Sequence, residues 1–107
     1  MIMNGGQAKG VQFLSPKTIE LMSKNHVGDL YQAPGAGFGL GFAVVENIGE
    51  YGMATSVGHL SWSGAYCTYF FIDPEEELVS ILMTQTAPYS GFWGSKMNQF
   101  IYQAIID

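Results

Sequence analysis

The sequence predicts a single α+β domain over residues 1–107, built on a three- or four-stranded antiparallel sheet flanked by two helices. Three observations carry that expectation. Residues 66–72 and 78–84 are two runs rich in β-branched and aromatic side chains, joined by the turn-forming Asp73-Pro74-Glu75-Glu76-Glu77, which is the pattern of a β-hairpin. Residues 38–45 set bulky Phe38, Leu40, Phe42 and Val44 against small Gly39, Gly41 and Ala43, a period of two. Met97, Phe100, Ile101, Ala104 and Ile105 recur at spacings of three and four, the apolar stripe of an amphipathic helix over 95–106.

Taken in chain order, Met1-Ile2-Met3-Asn4-Gly5-Gly6 has no cationic start and no continuous apolar core, so it does not read as a signal peptide. A helix over 16–26 follows from Ser15 as N-cap and Pro16 at the first helical position, with Ile19 and Met22 three apart. It should stop between residues 25 and 28, with His26 capping its C-terminus. The strand over 38–45 has one bulky and one nearly bare face, and a bare face lets a neighbouring element approach the backbone closely. Residues 46–61 show no clear period and read as a loop or weak strand. Both strands of the following hairpin are apolar at nearly every position, which predicts burial on both faces. Tyr89, Phe92 and Trp93 then read as a staple or core cover ahead of the last helix.

Composition narrows the function classes. At 107 residues, with 48% hydrophobic and 12% charged residues, the chain has material for one core and little charge to cover its outside, so self-association is expected. Four Lys plus Arg against nine Asp plus Glu, a formal charge of -5, argue against nucleic acid and against anionic membrane surfaces. No stretch is long and apolar enough to span a bilayer. The single cysteine, Cys67, cannot close an internal disulfide, leaves the compartment undetermined, and reads as a small buried hydrophobe. Glu75, Glu76 and Glu77 lie consecutively in a turn and splay apart, so no metal is expected there. The glycines at 35, 37, 39 and 41 precede a strand and open no helix, unlike a phosphate loop. Neither metal nor cofactor is predicted.

The chemistry-bearing stretch is Trp62-Ser63-Gly64-Ala65 at the head of the hairpin. Together with Gly37-Phe38-Gly39-Leu40-Gly41-Phe42 and with Leu14-Ser15-Pro16 through Asn25-His26, residues 58–85 resemble the C-terminal portion of the serine β-lactamase-like hydrolases: class C β-lactamases, D-alanyl-D-alanine peptidases and related esterases. The order and spacing of these segments carry the resemblance, which covers nearly the whole chain and implies a partial β-lactamase/transpeptidase-like fold. It is nearest the esterase-like branch, in which Trp-Gly-Gly or His-x-Gly stands where β-lactamases have Lys-Thr-Gly. The resemblance implies that the N–H of Ala65 stabilises the oxyanion of an acyl-transfer intermediate and that Trp62, Ser63 and Gly64 line the substrate cleft. Trp62 in the cationic position favours neutral ester or amide substrates.

The nucleophile that such a corner serves is missing. Family members place it in Ser-x-x-Lys, whereas here Ser15 is followed three residues on by Thr18, Ser23 by His26, Ser61 by Gly64 and Ser95 by Asn98. The Tyr-x-Asn motif is also absent: Tyr31 is followed by Gln32-Ala33 and Tyr51 by Gly52-Met53. Two classes of function follow. The chain is expected to be a C-terminal part of a hydrolase, inactive alone and partnered by a missing N-terminal half; or it is a freestanding, non-catalytic module that homodimerises through exposed strand edges. Catalysis by Ser63 with His59 is disfavoured by the extended path between them, and His59 reads as a surface or packing residue.

Overall fold

The computed structural model describes residues 1–106. After a 3-10 turn at Ile2–Asn4, the chain forms β1 (Gln7–Ala8), β2 (Val11–Gln12), α1 (Pro16–Met22), β3 (Ala36–Phe38), β4 (Ala43–Val45), α2 (Ile48–Tyr51), β5 (Leu60–Ser63), β6 (Tyr69–Asp73), β7 (Leu78–Leu82) and α3 (Phe92–Tyr102). β1 and β2 pair as a small ribbon, closed by Lys9 and Gly10 at positive φ. The other strands form one antiparallel sheet in the order β3-β4-β5-β6-β7. The α+β class and the antiparallel sheet are those expected from sequence. The strand number is five rather than three or four, for two local reasons.

The first is that the predicted strand over 38–45 is two strands. Gly41 takes φ +100° and the Gly39 N–H bonds Phe42 O at 2.7 Å, folding the chain back so that Phe38 pairs Ala43. The large-small alternation runs straight through this turn, which is why period alone could not find it. The second is that residues 46–61 hold α2 and the first half of β5. Asn47 caps α2 by accepting from Glu50 N at 3.2 Å, and Gly52 ends it at φ +75°.

The bare face of 37–39 is used as anticipated. An added Cβ at Gly37 would strike the Asn25 side chain, and one at Gly39 would strike the Met22 carbonyl. The end of α1 therefore lies directly on the strand backbone, with Leu40 N on Met22 O at 2.9 Å and His26 N on Phe38 O at 2.9 Å. Leu40 N thus takes the Met22 carbonyl and Phe38 O takes the His26 N–H that would continue the helix onto it, and α1 ends at Met22, earlier than periodicity predicts. Ser15 Oγ caps the start, accepting from Thr18 N at 3.0 Å, and the His26 ring bonds Leu21 O at 2.7 Å. Both caps follow the sequence reading.

The core lies in the middle of the sheet, where Val44, Val45, Leu60 and Phe71 are buried. α3 covers one face, with Ser80 Oγ against Met97 Sδ at 3.6 Å. The opposite face stays open at β7, where Val79 is 52% and Ile81 69% exposed, so the expected two-sided burial of this strand does not hold. α3 also begins and ends earlier than 95–106 and turns Gly94 and Asn98 inward while Phe100 faces outward. The small Gly94 and polar Asn98 are its most buried residues, with Met97 of the apolar stripe half-buried beside them.

Candidate functional site

β5 runs into β6 through a tight turn that places the predicted motif at one corner of the sheet. Gly64 O accepts from Cys67 N at 3.1 Å and Gly64 N donates to Thr68 O at 2.8 Å, leaving Ala65 and Tyr66 exposed at the tip. The Ala65 N–H takes no part in the backbone bonds that close this turn. The corner is held from behind, since Thr84 Oγ1 donates to Tyr66 O at 2.6 Å and Thr86 N to the same oxygen at 3.2 Å. Cys67, at φ +64° and 2% exposed, donates from Sγ to Thr86 O and receives Ser90 N, each at 3.3 Å. It is the buried hydrophobe expected, and it anchors the loop ahead of α3. That loop sets Tyr89 over the motif, its hydroxyl 3.1 Å from Ser63 Oγ.

Strand alternation splits the triplet. Trp62 turns to the open face, where its ring meets Phe38 edge-on at 5.0 Å and Tyr31 at 6.4 Å. Ser63 turns to the face covered by α3. A side chain at Gly64 would have to displace the Thr68 hydroxyl, which lies against the position of its Cβ. Trp62, Ser63 and Gly64 still share one groove of about 310 Å³, floored by Phe70 and Ile81, which stand beside Trp62 in the sheet register. Tyr89, Phe92 and Trp93 are 56%, 53% and 47% exposed, so they cover no core.

Ser63 and His59 are not brought together. His59 has no solvent exposure, and both of its ring nitrogens are engaged elsewhere. Tyr102 donates its hydroxyl proton to Asp73 Oδ2, so its oxygen accepts from His59 Nδ1 at 2.8 Å; His59 Nε2 then faces the Tyr69 hydroxyl at 3.5 Å. Asn98 Nδ2 donates to that hydroxyl at 3.0 Å. The result is one directed chain, Asn98 to Tyr69 to His59 to Tyr102 to Asp73, crossing from α3 to the sheet and back. His59 is thus a core residue rather than a surface one. Burial pulls its pKa down to about 4, the nearby Asp73 charge opposing this. Burial works against the Asp73 carboxylate too, but bonds from Tyr102, Ser56 and the N–H groups of Glu76 and Glu75 outweigh it and hold its pKa below the usual value. Burial raises Tyr69, so its hydroxyl stays protonated in neutral solution. The available signal for this chain was parity: residues 59, 61 and 63, and 69, 71 and 73, share a face, and the polar members cluster there.

Among the described residues no group of three His, Cys, Asp or Glu side chains gathers to hold a metal. Asp73 Oδ1 instead accepts from Glu75 N and Glu76 N at 3.0 and 3.2 Å, making the acidic stretch a hydrogen-bonded turn.

No family model matches the chain. Protein Rv1367c and Uncharacterized protein MT1414, from Mycobacterium tuberculosis strains ATCC 25618 / H37Rv and CDC 1551 / Oshkosh, are each 32% identical to it over 82% of this chain and 25% of theirs. Among solved structures, EstCE1, a hydrolase with promiscuous acyltransferase activity, matches 94% of this chain and 26% of its own, at 31% identity and a TM-score of 0.80. The chain therefore spans about a quarter of the length of the relatives it matches. Nearly its whole length carries a hydrolase-like fold, the fold of one quarter of EstCE1.

Proposed function

We propose that the chain is the C-terminal sheet-and-helix part of a serine hydrolase of the β-lactamase/esterase type, supplying the oxyanion-side corner and one cleft wall to a nucleophile carried elsewhere. The observation that carries this is the match to EstCE1 across 94% of the chain, and the exposed turn whose tip leaves the Ala65 N–H outside its own bonding supports it. A rigid backbone donor at a strand end costs no reorganisation when charge develops on a carbonyl oxygen. In this reading Trp62, Ser63 and Gly64 wall the cleft, the substrate is a small neutral ester or amide, and the chain alone is inactive for want of Ser-x-x-Lys.

The test is hydrolysis of p-nitrophenyl butyrate and labelling by a fluorophosphonate. Both are run on the chain alone and on the chain mixed with the part of EstCE1 that lies outside the matched quarter. Turnover is expected on mixing only. Ala65→Pro, which suits the second position of a turn while deleting the N–H, should lower kcat of the mixture roughly 100- to 1,000-fold. A stoichiometric adduct with turnover from the chain alone would overturn the inactive-part reading and make Ser63 the first residue to map.

A second reading is a freestanding, non-catalytic module that dimerises. It is favoured by the unpaired edge of β7 with its exposed Val79 and Ile81. A stable dimer that never yields turnover with the complementary part would select it.

A further inference from the structure

Beside the corner, between the sheet and the first turns of α3, lies a cavity of about 100 Å³. Its wall includes Ser63 and Tyr69 from the sheet, Tyr89 from the loop, and Ser95 and Asn98 from α3. No Asp, Glu, Lys, Arg or His lines it. Every polar side chain there is a hydroxyl, an amide or the Cys67 thiol, and several have bonding capacity left over. Ser63 and Tyr89 share one bond, so their two oxygens keep further lone pairs and one proton between them. Asn98 is 4% exposed and gives Nδ2 to Tyr69, but its Oδ1 has no partner among the described residues. A buried carbonyl oxygen left unpaired calls for a donor.

We propose that this cavity is a subsite for a small neutral alcohol, the hydroxyl-bearing portion of an ester substrate or acyl acceptor. The proposal rests on the oxyanion-corner reading for its role, since Ser63 lies two residues from Ala65 and lines both this cavity and the outer groove. The recognition itself rests on three properties of the wall. A hydroxyl both donates and accepts, as the spare valences of Ser63, Tyr89 and Asn98 require. The volume suits about three waters or one molecule of about four heavy atoms. An anion would be stripped of water with no counter-charge among the lining residues, which selects against carboxylates.

The experiment follows backbone amide shifts of the isotope-labelled chain during titration with isopropanol, and separately with acetate. Isopropanol should give saturable shifts centred on Ser63, Tyr69, Ser90 and Gly94, with Kd on the order of 10–100 mM. Acetate at matched ionic strength should not. Ser95→Leu, at an exposed position on the rim, should fill the cavity and abolish the shifts, whereas Ser95→Ala should keep them. Linear, unsaturated shifts with isopropanol, or equal saturation by acetate, would overturn the proposal and leave the cavity to ordered water. Because the readout is binding to the chain by itself, it can fail while complementation succeeds, or succeed while complementation fails.

Discussion

His59 sits without solvent exposure against the Phe71 ring, 4.8 Å between centroids, with Nδ1 on Tyr102 and Nε2 facing Tyr69. Protonating it would place a second donor opposite a phenol that already points its own proton at the ring, inside a site with only the Asp73 carboxylate to offset the charge. Its pKa is accordingly depressed, from 6.5 to about 4. In the unfolded chain the imidazole titrates near its ordinary value, so acid favours the unfolded state. The stability this group contributes is complete above pH 6.5, is lost progressively as pH falls toward 4, and changes no further below that. The loss is on the order of 3 kcal/mol. Urea midpoints at pH 7 and pH 4.5 measure it, and His59→Gln should flatten the difference; an equal difference in the variant would assign it to other groups. Sequence reading placed the caps Ser15 and His26 correctly, since each depends on a neighbour within five residues, and the buried Cys67 from its place inside an aromatic strand run, without its partners Thr86 and Ser90. It left His59 between surface and packing, and could not choose, because the partners Tyr102 and Tyr69 lie 43 and 10 positions away and a lone histidine carries no mark of what the fold will set around it.

Helix α3 can lie close on the sheet because Gly94 faces Tyr69. A Cβ at Gly94 would stand 2.9 Å from Tyr69 Cγ, tighter than any side chain tolerates without movement. Gly94→Ala gains up to about 1 kcal/mol of helix propensity and should still destabilise the protein by about 1–2 kcal/mol, because overpacking at a buried crossing costs more than the propensity returns. Chemical denaturation reads the sign directly, and an unchanged or higher midpoint would show that the Tyr69 ring moves aside freely. The same variant should disturb the bond from Asn98 to Tyr69, one turn further along the helix. The amphipathic pattern of 95–106 predicted the helix and its contact through Met97 but not its full rotation, since the most buried positions are Gly94 and Asn98, residues that hydrophobic periodicity ignores. The hairpin was legible because its two runs and its turn each carry their own signal. The split of 38–45 was not, because the turn residues Gly39 and Gly41 also fitted the small positions of an alternating strand.

At the scale of the whole molecule, one side of the sheet ends in β7, whose outer edge pairs with no strand among the described residues and whose open face is uncovered at Ile81. β7 leaves Val79, Ile81 and Met83 exposed on one face, and on the other Leu82 lies beside Phe92, Trp93 and Phe100 of α3 around an apolar groove of about 590 Å³. An open strand edge flanked by apolar side chains on both faces is a template for association. Low charge, visible in the composition, pointed to such a surface; only the strand order located it at β7. The dimer reading draws on this edge, and a complementary part that covered it would compete with self-association. Sedimentation velocity of the chain should show association in the micromolar range, and Ile81→Lys, which places a charge on the open face without touching the core, should shift it toward monomer. Adding the complementary part of EstCE1 should disperse the self-association if that part covers the same edge. In that case Val79→Lys, on the same open face but outside the groove of Trp62, should weaken the restored turnover through affinity, with kcat at saturation unchanged. A chain that remains monomeric at every concentration would remove the dimer reading, and dimers that persist in full beside the complementary part would place the contact on another surface.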